Sequence, residues 1–246
     1  MRAVSFSNEP PHQRFTRRRL MQLAAAVFVA APSRAQTGLR ALPPVDQSSR
    51  DPSLAQVLKT LRGIVGRRDD RELLALMSRD FKVEFDIGKG PETFRRQWKS
   101  NARDSQVWDL LDRLLSLGGT FYSSTLFALP YVYTRFPTDL DKLSHVVSVR
   151  AKAPLRQRPD PRGPEVGTLD YVILPLTTPI TPPTLFTEPF VEVRHPDWGV
   201  CYVSRSDVYS PAGHRAFFEK RQGRWHWLSL AAATMATPPE LNKTGA

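Results

Sequence analysis

The side chains best suited to bond-making chemistry are few. A single cysteine, Cys201, and a histidine thirteen residues on, His214, are the one pairing that could supply a sulfur nucleophile and its base for amide hydrolysis. Cys201 stands between Val200 and Tyr202 in an apolar run, which is a strand position for a small buried residue, so the residue reads as an inert core thiol. His145, His195, His214 and His226 show neither H-x-x-x-H nor H-E-x-x-H spacing, and no metal or other cofactor is expected.

Glu84 and Asp86 are two apart, so on a strand both carboxylates project to one side, as acid-base chemistry or a hard cation would need. Charges at alternate positions, Lys82 included, are also what the wet face of a strand requires, and that reading is preferred. Gly88-Lys89-Gly90 is too short for a phosphate loop and reads as a turn. Arg221, Arg224, Trp225, His226 and Trp227 could contact an anionic glycan, although tryptophans on a hairpin more often anchor one face in a core. No catalytic residue is assigned.

The elements that must position these groups follow from hydrophobic period. Asp51-Pro52 supplies a cap and a first-turn proline to a helix with Leu54, Val57, Leu58, Leu61, Ile64 and Val65 on one face, expected to stop at Gly66. A second helix starts at Asp69-Asp70. Residues 81–87 alternate as a strand, a short helix carries Phe94 and Trp98, and a longer one carries Val107, Trp108, Leu111, Leu114 and Leu115 as far as Gly118. Thr120 to Phe127 and Tyr131 to Phe136 read as β-rich. From His145 five short strand-like runs follow, interrupted by a proline-rich loop, Pro175 to Pro189. Short strands leave edges exposed unless the sheet closes, which predicts a small barrel. Alternation on both sides of Arg221-Gln222-Gly223 predicts a terminal hairpin.

The chain of 246 residues is 41% hydrophobic and 24% charged with a net charge of +11, values of a globular protein with a sizeable core. One cysteine excludes a disulfide scaffold. Thr16-Arg17-Arg18-Arg19, the apolar stretch Leu20 to Ala31 and the small residues Ser33 and Ala35 have the three parts of an export signal, too short for a stable membrane anchor. The arginines resemble a twin-arginine signal, which implies a periplasmic or secreted protein. Loss of residues 1–35 removes six arginines and one glutamate and lowers the net charge from +11 to +6. That mild excess suits an anionic envelope polymer or a membrane surface, and nucleic acid is not an expected partner.

Val147-Ser148-Val149-Arg150, Pro154 to Pro159, Val166 to Leu169 and Trp198-Gly199-Val200-Cys201-Tyr202-Val203 resemble the bacterial SH3 domain, with Cys201 where that family usually has glycine. The resemblance implies a small recognition barrel without catalytic residues, binding peptidoglycan peptide or an envelope protein. Tyr171, Trp198, Tyr202 and Tyr209 are its candidate binding residues. Residues 51–137 faintly resemble an NTF2-type half, to whose sheet the last hairpin could return. The expected organisation is α+β: a signal peptide (1–35), a flexible leader (36–50), N-terminal helices with a small antiparallel sheet (51–137), an SH3-like β-barrel (138–210), a C-terminal β-hairpin (211–235) and a tail (236–246). The function expected is that of an exported, non-enzymatic envelope module. The alternatives are a wall hydrolase using Cys201 and His214, or a structural subunit of an envelope assembly.

Overall fold

A computed structural model describes residues 38–83, 88–180 and 188–232. The expected signal segment, the Glu84 and Asp86 pair, the middle of the proline-rich loop and the expected tail lie outside the described residues. The fold is mixed α+β, and among the described residues it has five α-helices and thirteen strands.

Helix α1 (Pro52–Arg67) begins where Asp51 accepts hydrogen bonds from the backbone N–H groups of Ser53 and Leu54, and Pro52 occupies the first turn, where no donor is missed. It runs past Gly66 and ends at Arg68, whose left-handed backbone (φ 53°) turns its N–H back to the carbonyls of Ile64 and Val65. Helix α2 (Asp70–Ala75), capped by Asp69, leads into strand β1 (Met77–Val83), beside which lies β2 (Gly88–Lys89). Helix α3 (Pro91–Trp98) and helix α4 (Gln106–Leu117) follow, the latter capped by Ser105 and closed by Gly118 at φ 70°. The hairpin of β3 (Thr120–Ser123) and β4 (Leu126–Leu129) ends at Pro130.

Tyr131 to Phe136, expected as a strand, forms helix α5 (Tyr131–Arg135), with Pro130 at its cap. Proline at the start of a helix leaves no donor unmet, whereas in a strand it would interrupt the ladder. The short helix still buries Tyr131, Val132 and Tyr133, the apolar residues that had suggested a strand.

Residues 145–209 hold seven strands: β5 (His145–Ser148), β6 (Ala153–Arg156), β7 (Glu165–Leu169), β8 (Ile173–Pro175), β9 (Phe190–His195), β10 (Gly199–Ser204) and β11 (Val208–Tyr209). They make two sheets, ordered β7-β6-β10-β9 and β11-β5-β8, and neither closes into the expected barrel. One core serves both sheets, with Val146 and Leu174 from one packing with Leu155, Val193 and Cys201 from the other. Among the described residues an isolated backbone bridge, Leu176 to Val193, links the two sheets. Closure is not the only way to manage edges: strands of two to six residues leave few unpaired backbone groups along a free edge, so two open sheets over one core suffice.

The chain then returns through β12 (Arg215–Arg221) and β13 (Arg224–Ala231), joined by Gln222 (φ 49°) and Gly223 (φ 78°). Two positive φ values in a two-residue loop are the mark of a hairpin turn matched to strand twist. This hairpin lies in the middle of a six-stranded sheet of order β2-β1-β13-β12-β4-β3, in which β13 pairs parallel to β1. In sequence, the two-sheet unit therefore interrupts the larger sheet between β4 and β12. Trp227 fills the larger core against Phe81, Phe94 and Phe218, and Trp225 donates its indole N–H to Asp51 at 3.1 Å. The tryptophans of the basic-aromatic cluster are thus core residues.

Residues 38–50, expected as a flexible leader, act as a strap. Leu42 N–H donates to the Tyr171 carbonyl (2.6 Å) and Ile173 N–H to the Arg40 carbonyl (2.9 Å), while Gln47 N–H donates to the Gly119 carbonyl (2.8 Å) in the larger part. Among the described residues no helix is long and apolar enough to cross a membrane.

Candidate functional site

The hairpin of β9 and β10 places alternate side chains on opposite faces of its sheet. Val191, Val193, His195, Cys201 and Val203 point into the smaller core, and Glu192, Arg194, Val200 and Tyr202 point out. At the hairpin's end Trp198 stacks on His195, with ring centroids 4.2 Å apart and planes 32° apart, and its six-membered ring lies directly over Gly167. A side chain at position 167 would collide with that ring, so glycine is what allows the indole to lie flat on β7. Trp198 nevertheless keeps 43% of its surface exposed, as does Val200, and these two are adjacent members of the short roll of large exposed apolar residues.

Tyr202 stands on the outward face. Its hydroxyl donates to Glu192 Oε2 at 2.8 Å across the strand pair, which pushes the phenol up, and hydrogen bonds from Thr177 and Tyr202 hold the Glu192 carboxyl low. Behind it on β6, Arg156 pairs with Glu165 at 3.1 Å. The outward face therefore presents Val200 and Tyr202 among fixed charges, whereas Trp198, stacked on the inward-facing His195 and over the core side of Gly167, caps the end of the smaller core from the other side of the sheet. Aromatic rings with few rotatable bonds can stack on a sugar or peptide plane at low entropic cost.

His195 is 3% exposed. Its Nδ1 accepts from the Asp197 N–H at 3.2 Å, its Nε2 makes no hydrogen bond, and burial pushes its pKa down, opposed by Asp197 with a carboxylate oxygen 4.0 Å away. A neutral imidazole is what that environment selects.

The other two expected binding residues lie elsewhere. Tyr209 is buried in the larger core, donating its hydroxyl to the His214 carbonyl at 2.6 Å beneath the Arg113 guanidinium, 5.5 Å from its ring. Burial pushes its phenol far up. Tyr171 is half-buried with a left-handed backbone (φ 51°), and it serves the strap through its carbonyl. Of the four, Trp198 and Tyr202 share the β9–β10 hairpin, on opposite sides of its sheet.

Cys201 and His214 belong to different parts of the molecule. The Cys201 side chain is in the smaller core at 1% exposure, facing the Trp198 carbonyl at 3.6 Å, and burial pushes the thiol up, away from thiolate. His214 stacks on Trp98 beside the larger core, with centroids 5.3 Å apart. Among the described residues no group of three or more metal-capable side chains converges.

Sequence reading missed Arg113. It projects from α4 across to the chain after β10, where its Nη2 donates to the carbonyls of Arg205 (3.0 Å), Ser206 (3.2 Å) and Val208. One guanidinium so joins the helical part to the two-sheet unit. Its only local signal is an arginine beside an apolar stripe, which helices carry routinely.

No protein-family model matches the chain, and no curated protein does so. Among solved structures, the chain is similar to a calcium/calmodulin dependent protein kinase II association domain from Xanthomonas campestris, at 7% identity over 80% of this chain and 99% of that one, with a TM-score of 0.27. A similarity of that size carries no structural or functional weight.

Proposed function

We propose that this chain is an exported, non-enzymatic module of the bacterial envelope that holds peptidoglycan, or a protein associated with it, at the Trp198 end of the β9–β10 hairpin of an SH3-like unit. The observation that carries the reading is Trp198. A large indole, 43% exposed, is fixed against His195 and Gly167 at the end of the hairpin. An aromatic ring held rigid with one part open to solvent can anchor a sugar or peptide plane at low entropic cost.

Three further features support it. The unit's last strand, β11, pairs with its first, β5, after a 3-10 turn at Arg205–Asp207, in keeping with the SH3-like motifs of the sequence. The buried, protonated thiol of Cys201 favours holding over hydrolysis. The residues 16–35 pattern favours export, by the twin-arginine route, to the periplasm or beyond. The test is co-sedimentation of the purified chain, without residues 1–35, with isolated sacculi. Retention above a bovine albumin control, reduced about tenfold by Trp198→Ala as expected when an aromatic anchor is removed, supports the proposal. Retention equal to the control removes it.

A further inference from the structure

A cleft of about 730 Å³ lies between α4 and the segment 205–214, a size that suits a small molecule or short peptide. Its floor is stiff. Tyr209 is fixed by its bond to the His214 carbonyl, and Arg113 is fixed by its three bonds to carbonyls.

Arg113 spends only Nη2 on those bonds. Nε and Nη1 take no hydrogen bond among the described residues, and no carboxylate there bonds the guanidinium. A half-buried cation with open donors attracts an anion, and a guanidinium suits a carboxylate. The next residue back, Asp112, also lines the cleft, is exposed, and forms no ion pair among the described residues; Asp109 at the same wall is already tied to Arg68 at 2.7 Å. Beside Arg205 and His214, which also line it, the cleft therefore offers, among the described residues, a cation with open donors, Arg113, whose charge Asp207 also feels, and an anion without an ion pair, Asp112. Consecutive helix positions diverge by about 100°, so the two charges stand apart and fit the separated ends of a short chain better than a single amino acid. Leu110 and Val208 add apolar wall between them.

We infer that this cleft binds a short peptide by its two free ends, the carboxylate on Arg113 and the ammonium on Asp112. The inference rests on the envelope-recognition reading and extends it: the Trp198 end of the hairpin holds the polymer, and the cleft takes a short peptide released from it, with both termini free.

The probe is tri-alanine, with its N-acetylated and its C-amidated forms, titrated into the purified protein by calorimetry. Each capped form should bind about tenfold more weakly than tri-alanine, the usual worth of one charge-assisted hydrogen bond. Asp112→Asn, an exposed change that leaves the fold intact, should abolish the penalty for N-acetylation and keep the penalty for amidation. Arg113→Lys should reduce the amidation penalty; if that variant does not fold, the Asp112→Asn series decides alone. Equal binding of all three peptides, or no heat with tri-alanine at millimolar concentration, overturns the inference. Sacculus retention without tri-alanine binding sinks the cleft and leaves the envelope reading standing, whereas tri-alanine binding without retention does the reverse.

Discussion

Replacement of Trp227 by alanine tests the architecture most sharply. Trp227 comes from the last strand of the fold, and it is 2% exposed, with centroids 5.0 Å from Phe81, 6.0 Å from Phe94 and 6.2 Å from Phe218. Its indole N–H donates to the Ser229 carbonyl at 3.1 Å. Truncating a buried tryptophan to alanine costs about 3–5 kcal/mol through lost transfer energy and the cavity left behind. The two edge-to-face pairs place the expectation toward the upper end of that range, about 4–5 kcal/mol. Domains are stable by only about 5–15 kcal/mol, so Trp227→Ala should be near the threshold of folding. Trp227→Phe keeps most of the volume and loses the hydrogen bond and part of the packing, about 1–2 kcal/mol. Urea titration followed by far-ultraviolet circular dichroism reads both values, with an unchanged slope as the check on two-state behaviour. A loss below about 1 kcal/mol for Trp227→Ala, the size of a surface change, would refute the placement of the C-terminal hairpin between β1 and β4.

Three other outcomes follow from the smaller unit. Gly167→Ala should lift the Trp198 indole off β7, shifting its fluorescence to the red and costing about 1–3 kcal/mol as an overpacked contact; an unchanged spectrum contradicts the stacking. Cys201 should resist Ellman's reagent at pH 8 in the folded protein and react at once in denaturant, because burial holds it as the thiol; rapid native labelling contradicts this. His195 is held below its ordinary pKa by burial, so its protonation favours the unfolded chain. Its contribution is fully present above the unfolded value of about 6.5 and declines as pH falls below it. The urea midpoint of the protein should drop between pH 7.5 and pH 5, more than that of His195→Asn, and equal drops contradict the assignment.

Local pattern made α1, α4 and the terminal hairpin legible, because each carries its own signal. Asp51-Pro52 with six apolar residues at helical spacing, Ser105 before Trp108 and Leu111, and Gln222-Gly223 between alternating strands each act within a few residues of one another. The α5 segment was misleading because Tyr131, Val132 and Tyr133 favour strands intrinsically, and tertiary burial after Pro130 overrode that preference. The pairing of β13 with β1 joins Trp227 to Met77, across most of the chain, and parallel pairing has no short-range mark. Closure of a barrel is likewise a matter of register between strands, and alternation in Val191 to His195 gives the buried face but not the neighbour. Of the site, Trp198 and Tyr202 were legible as aromatic residues in an SH3-like motif. Arg113 and Asp112 were not, since the cleft they line exists only once α4 and the 205–214 segment meet.

The most direct measurement is an amide and indole nuclear magnetic resonance titration of the labelled chain with soluble wall fragments. The proposed function predicts that the Trp198 indole N–H and the amides from His195 to Tyr202 move first and most. Saturation with those resonances unmoved would contradict it.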